Sequence, residues 1–180
     1  PAGGVQRSPG AFGFAELIAP GVECEVGLRL GADIPAGPCT REAAAAAVAE
    51  VFAALEVVEK RYNDLAELGT PTLIADQVFH RAGVLGPAGA AWRDADLGAI
   101  RGRIAVDGAL RGDGVGADLL GHPFEALAWL AASPAAATFG GLRAGQVVFL
   151  GSVTPPIWLD GPCRVTVEFD VLGVAEARFA

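Results

Sequence analysis

Glu23 and Glu25 stand two residues apart in Gly21-Val22-Glu23-Cys24-Glu25-Val26-Gly27-Leu28, an otherwise apolar run. On a β-strand successive side chains alternate faces, so the two carboxylates project to one side and Val22, Cys24 and Val26 to the other. Carboxylates held side by side repel each other. Away from water, such a pair is tolerated by a bound cation, a captured proton or a basic neighbour. A hard divalent ion suits it best, since Mg²⁺ takes oxygen ligands and binds through a few carboxylates, with waters or substrate oxygens in the remaining positions. The competing reading is an exposed face of an edge strand carrying two solvated glutamates. The pattern alone leaves both open, and in either case Cys24 faces the core.

The elements that must position such a pair belong to a compact chain. Of 180 residues, 52% are hydrophobic and only 19% charged, which excludes a disordered protein and fits one domain, 1–180, with a substantial core. The net charge of −8 argues against nucleic acid or an anionic membrane as partner. No apolar run reaches the roughly 18 residues of a transmembrane helix, and no leader pattern is visible. Cys24, Cys39 and Cys163 are odd in number and lack Cys-x-x-Cys spacing. They read as buried thiols in a reducing compartment, hence the cytoplasm.

Residues 1–20, with four Gly and three Pro, read as an irregular lead-in to the acidic strand, which runs to about Leu30. After the turn-rich 31–38, Thr40 caps a helix, Glu42 sits in its first turn, and the alanine run predicts helix over 43–54. The β-branched pair Val57-Val58 predicts a short strand at 54–58. Thr70 and Pro71 start a short helix to Asp76. Strands follow at 78–85 and 100–106, then a hairpin turn at Asp107-Gly108 and a loop through Gly112, Gly114 and Gly116. His122-Pro123 opens a second helix to about Ala132, with the His122 ring bonding backbone. Strands at 146–150, 164–172 and 174–179 close the chain. About seven strands and two or three helices without regular alternation predict an α+β protein, a β-rich roll.

With these elements in order, Val22-Glu23-Cys24-Glu25-Val26 followed by Ala54-Leu55-Glu56-Val57-Val58 resembles the fumarylacetoacetate hydrolase superfamily. Within it, the nearest resemblance is to the group of 2-keto-4-pentenoate hydratases, 2-oxohept-3-ene-1,7-dioate hydratases and 4-oxalocrotonate decarboxylases. Ile74-Ala75-Asp76-Gln77, Leu120-Gly121-His122-Pro123, Ala144-Gly145-Gln146 and Gly151-Ser152-Val153-Thr154-Pro155-Pro156 agree in order. The resemblance implies a mixed β-sandwich roll whose pocket holds Mg²⁺ or Mn²⁺ on Glu23, Glu25 and Glu56. It further implies a hydratase that adds water to a 2-hydroxy-2,4-dienoate in aromatic-compound breakdown, or a 2-oxo acid decarboxylase of the 4-oxalocrotonate type. A metal-stabilised enolate serves both reactions. The resemblance also implies a homo-oligomer, with a related hydratase or decarboxylase as a further pairing partner.

Individual residues carry alternatives. Asp76 is a pocket acid or a helix-end cap, and Gln77 beside it is a substrate contact. Arg61 and Asp64 line the pocket or form a solvated turn. Leu150 stands where the family usually has Thr, so Ser152 or Thr154 must supply the pocket hydroxyl. His80 reads as a satisfied structural residue, and Gln146 and Glu168 as exposed positions. The family pattern also carries an upstream Lys in Lys-Ile-Gly and an Asp in Phe-x-Asp. The chain begins beyond the first, and the second falls near Gly3. If this is the whole protein, a shortened homologue that supports a full-length partner is the alternative.

Overall fold

The computed structural model describes residues 4–180, the side chains of residues 65, 66 and 68 excepted. Gly3 lies outside the described residues. The acidic strand is β3, Pro20–Leu30, and it pairs antiparallel with β4, Val48–Glu59, in a continuous register from Pro20↔Glu59 to Arg29↔Glu50. Outside β4 lie β5, His80–Ala88, and then β1, Val5–Arg7. The other edge of β3 takes β8, Val147–Ser152, and the two-residue β9, Ile157–Trp158. A second, five-stranded sheet runs β2 (Gly10–Phe12), β11 (Gly173–Phe179), β10 (Cys163–Phe169), β6 (Arg101–Val106) and β7 (Ala109–Val115).

The alternation expected for β3 holds. Val22, Cys24, Val26 and Leu28 are fully buried in one core cluster with Leu55 and Val57 of β4 and with Val165, Val167, Phe169, Ala177 and Phe179 of the second sheet. The opposite face of the first sheet carries the carboxylates and a small cluster of Phe52, Ala54 and Leu85, against which Val147 and Phe149 pack. For Phe149 of β8 to reach β5, three strands along, the sheet must curl over this face. A Cβ built at Gly83 would fall 2.1 Å from the Phe149 ring, so the ring rests where only glycine leaves room.

Four helices accompany the sheets among the described residues, against the two or three expected: α1, Arg41–Ala46; α2, Leu65–Ala75; α3, Pro123–Ala132; and α4, Pro134–Thr138. Thr40 accepts from the Ala43 amide, and His122 accepts from the Phe124 amide through Nδ1 at 3.0 Å, as predicted for both helix starts. None of the helices is long and apolar enough to cross a membrane.

Four expectations are corrected. The alanine run is helical only to Ala46; from Val48 it is strand, because β4 is sandwiched between β3 and β5 and its backbone and side chains gain more from that pairing than alanine's helix propensity offers. The short helix expected from Pro71 is the second part of α2, which begins at Leu65 and kinks at Gly69 (φ 67°). Gly112 and Gly114 are not loop but part of β7, where a Cβ on Gly114 would meet the Val153 carbonyl oxygen at 2.1 Å. The lead-in contributes the two short strands β1 and β2.

Candidate metal centre

The β3–β4 register sets Glu23 directly opposite Glu56, on the same face, and sets Glu25 opposite Ala54, whose small side chain leaves space above it. Carboxylate oxygens of Glu23, Glu25 and Glu56 lie within 4.8 Å of one another. Glu25 is only 2% exposed. Its Oε2 accepts the Gly151 amide at 2.9 Å, where a bulge in the β3–β8 ladder and a positive φ of 103° turn that amide inward. Glu56 Oε1 lies 2.5 Å from Nδ1 of His80.

Three acids so placed cannot all stay charged without a counter-charge. Burial, then repulsion from Glu56, pushes the Glu23 carboxyl up to about 7. Burial, followed by its contacts with Glu56, also holds the Glu25 carboxyl well above the ordinary range, and the Gly151 amide offsets only part of this. Burial would raise Glu56 too, but hydrogen bonds from His80, Glu25 and Glu23 outweigh it and leave Glu56 below its ordinary value. The edge-strand alternative of solvated glutamates therefore does not describe this face. The donor set fits a hard divalent cation. Mg²⁺ with oxygens at 2.0–2.1 Å in an octahedron holds neighbouring ligands about 3 Å and opposite ones about 4 Å apart, so small side-chain movements would close the trio on it. His80 stands behind Glu56 as a metal ligand's hydrogen-bonding support commonly does.

The carboxylates open into a cleft of about 720 Å³ whose other walls include Gln77, Phe79, His80, Phe149, Pro156 and Trp158. Of the remaining residues expected at the site, Gln77 reaches it. Arg61 and Asp76 are placed on each other: Arg61 Nε and Nη2 donate to Asp76 Oδ1 and Oδ2 at 3.0 and 2.9 Å, and Nη1 donates to Glu59 Oε2 at 2.9 Å. Hydrogen bonding from Arg61 holds the Asp76 carboxyl below its usual range. Ser152 Oγ accepts the Cys24 and Thr154 amides, at 3.1 and 3.2 Å, and ties the end of β8 to β3; neither Ser152 nor Thr154 is among the cleft-lining residues. Cys24 is core, its thiol pushed up to about 12 by burial and by Glu25. Gln146 and Glu168 are exposed as expected.

Arg61 also donates to the carbonyls of Asp76 and His80, so it spans the turn between α2 and β5. In that turn Gln77, Val78 and Phe79 all have positive φ (57°, 51° and 68°), which disfavours L-residues and a β-branched valine most of all. The clamp holds a strained segment against the cleft. Arg61→Ala is expected to lower Tm by about 3–6 °C and to leave Mg²⁺ affinity within about threefold; Arg61→Lys, lacking the planar fork, recovers only part of the Tm. Thermal denaturation and calorimetry check both. His80 is the site residue to which the sequence assigned only a structural part; its place beside Glu56 follows from β4–β5 pairing, which no local pattern reveals.

Residues 13–180 match the family model described as fumarylacetoacetate hydrolase, C-terminal. A 2-keto-4-pentenoate hydratase of Burkholderia vietnamiensis is 35% identical over 92% of this chain and 63% of its own length. A 2-hydroxyhexa-2,4-dienoate hydratase of Comamonas testosteroni is 31% identical, over 92% of this chain and 62% of its own. Among solved structures, the 4-oxalocrotonate decarboxylase from Pseudomonas putida G7, complexed with magnesium and adipate, superposes with a TM-score of 0.87 at 26% identity, covering 98% of this chain and 66% of that one. The chain thus spans a little under two thirds of the curated relatives it matches. With the two-sheet roll and the matched span in agreement, the chain belongs to the fumarylacetoacetate hydrolase family, in the group that holds these hydratases and decarboxylases.

Proposed function

We propose that residues 1–180 form a single catalytic domain of a divalent-metal-dependent hydro-lyase that adds water to a 2-hydroxy-2,4-dienoate. The observation that carries this reading is the convergence of Glu23, Glu25 and Glu56 within 4.8 Å at a cleft whose other walls, Gln77 and His80 apart, are aromatic, aliphatic or glycine. Mg²⁺ or Mn²⁺ held there would supply a Lewis acid for the substrate's carboxylate and 2-oxygen, stabilising an enolate. The chain's own groups do the rest. The Gly151 amide and His80 Nδ1 fix the orientation of Glu25 and Glu56. Phe149 and Trp158 exclude bulk water around the conjugated carbons, which strengthens every electrostatic contact in the site. Gln77 offers amide donors and an acceptor to the substrate.

A second reading, decarboxylation of a 2-oxo dicarboxylate, is favoured by the superposition on the Pseudomonas putida decarboxylase and needs the same enolate stabilisation. The two separate in one experiment. With Mg²⁺ or Mn²⁺, the purified protein should discharge the absorbance of 2-hydroxypenta-2,4-dienoate faster than buffer and release no CO₂ from 4-oxalocrotonate. CO₂ release without loss of the dienoate would replace the first reading by the second, and neither would remove both.

A further inference from the structure

Resting on that metal-dependent reading, we infer that Phe149, seated over Gly83, is a specificity-determining residue whose ring limits the bulk a bound molecule can carry beside its metal-chelating end. The ring comes from β8, yet its Cε2 and Cε1 atoms lie 2.7 and 2.9 Å from where a Cβ on Gly83 would stand, with Cζ closer still. Gly83 is the β5 ladder partner of Glu56, and Glu56 opposes Glu23 on β3. Neighbouring strands are roughly 4.8 Å apart, so the ring lies about one strand spacing from the backbone of a proposed metal ligand. It lines the same cleft as all three carboxylates. A molecule that reaches the ion through a carboxylate and a 2-oxygen therefore has this ring beside its next carbon.

The ring is a fixed wall. Phe52, Ala54 and Leu85 form a buried cluster on the sheet beneath it, and Phe149 packs on them. Under its own strand pair the packing is equally close: a Cβ on Gly27, the β3 partner of Phe149, would meet Leu85 and Ala54 at 3.0 and 3.1 Å. Two residues on, the Gly151 amide donates to Glu25, which ties the strand carrying the ring to the metal seat. The ring thus has no room to retreat towards the sheet, and glycine at 83 is what keeps it low. A methyl group at 83 displaces the ring, because the atoms in its way are the free end of a side chain, and the displacement carries the ring into the cleft. Trimming Phe149 does the reverse. The two positions therefore have opposite expected effects on the same wall.

2-Oxohexanoate and 3,3-dimethyl-2-oxobutanoate are isomers that chelate through the same groups and differ in the bulk beside the 2-oxo carbon. Neither has the conjugated double bond that takes up water, so both report binding alone. In calorimetry at saturating Mg²⁺, the native protein is expected to bind the straight isomer at least about tenfold tighter, the scale on which apolar pockets separate close analogues. Phe149→Leu and Phe149→Ala should bring the ratio to within about threefold, and Gly83→Ala should raise it at least about fivefold above native. Added to Phe149→Ala, Gly83→Ala should change the ratio by less than about twofold, since the ring through which it acts is gone. A general loosening of the fold would not give that coupling, and the opposite signs of Phe149→Leu and Gly83→Ala decide the matter even where Phe149→Ala does not fold. Equal binding of the isomers by the native protein, a ratio unmoved by Phe149→Leu and Gly83→Ala, or a Gly83→Ala effect that persists without the ring overturns the inference and leaves the metal reading standing. If the native protein binds neither acid in a Mg²⁺-dependent way, the metal reading itself fails and the inference falls with it.

Discussion

Replacing Glu25 by Gln is expected to weaken Mg²⁺ or Mn²⁺ binding by roughly 100-fold or more while leaving the metal-free protein no less stable. The first effect follows from its place in the trio: loss of a group that merely supports a ligand typically weakens metal binding by about 10- to 100-fold, and Glu25 is the most enclosed of the proposed ligands. The second follows from burial. Glu25 is held well above the ordinary carboxylate range, so its ionised form is a liability to the folded chain without a cation. A glutamine keeps an oxygen for the Gly151 amide and offers N–H donors to Glu56, removing that liability at nearly constant volume. In the native sequence, metal at 100 times its Kd should add about 2.7 kcal/mol, a rise in Tm of about 5–10 °C for a chain of this size. The variant should show a rise of no more than about 1–2 °C at the same concentration and a metal-free Tm equal to the native one or a few degrees above it. Unchanged affinity in calorimetry would remove the metal seat.

The second large effect is of pH on the same equilibrium. Near neutrality the metal-free site retains protons on Glu23, raised to about 7, and burial together with Glu56 raises Glu25 well above its ordinary range as well. A cation must displace them, and each displaced proton makes affinity change about tenfold per pH unit. Affinity should therefore fall by about 10- to 100-fold per unit as pH drops below about 7 and level off above the highest of these values. Stability of the metal-free chain follows the opposite course. A raised carboxyl binds its proton more tightly in the folded than in the unfolded state. Between the ordinary 4.5 and about 7 the folded chain thus holds more protons on Glu23, and stability declines as pH rises through that window. Glu56, which is lowered, opposes this only towards acid, where its stabilising contribution is lost as pH falls through its folded value. The metal-free Tm at pH 5 should exceed that at pH 7.5, and Mg²⁺ should reverse the order. A flat profile in both measurements would mean that the three carboxylates do not share protons as their spacing requires.

Glu23 and Glu25 were legible as a pair because strand periodicity is local: two residues apart is enough to place them on one face, whatever else the chain does. The same holds for the helix starts at Thr40 and His122-Pro123, for the Asp107-Gly108 hairpin, whose residues take φ of 49° and 81°, and for the alternating residues of β10 and β11. Glu56 entered only through family resemblance, since periodicity says nothing of which strand lies beside β3. Its convergence with Glu23 is a property of the β3–β4 register.

Where local preference and sheet context disagreed, context decided. Alanine's helix propensity is worth a few tenths of a kcal/mol per residue, less than the hydrogen bonds and burial available to a central strand, so the run after Ala46 became β4. Arg61, read as a pocket residue or part of a solvated turn, and Asp76, read from its family-like segment as a pocket acid or a helix-end cap, are brought to each other by the turn at 76–80, which sends Gln77 and Phe79 to the cleft. His80 acquires its place beside Glu56 from β4–β5 pairing, and Phe149 its place over Gly83 from the curvature of the whole sheet. The sequence by itself determined which residues alternate, cap and turn, because those depend on neighbours along the chain. Only the tertiary structure decided which charges meet and which rings wall the cleft, because those depend on strand order, register and curvature summed over segments far apart in sequence.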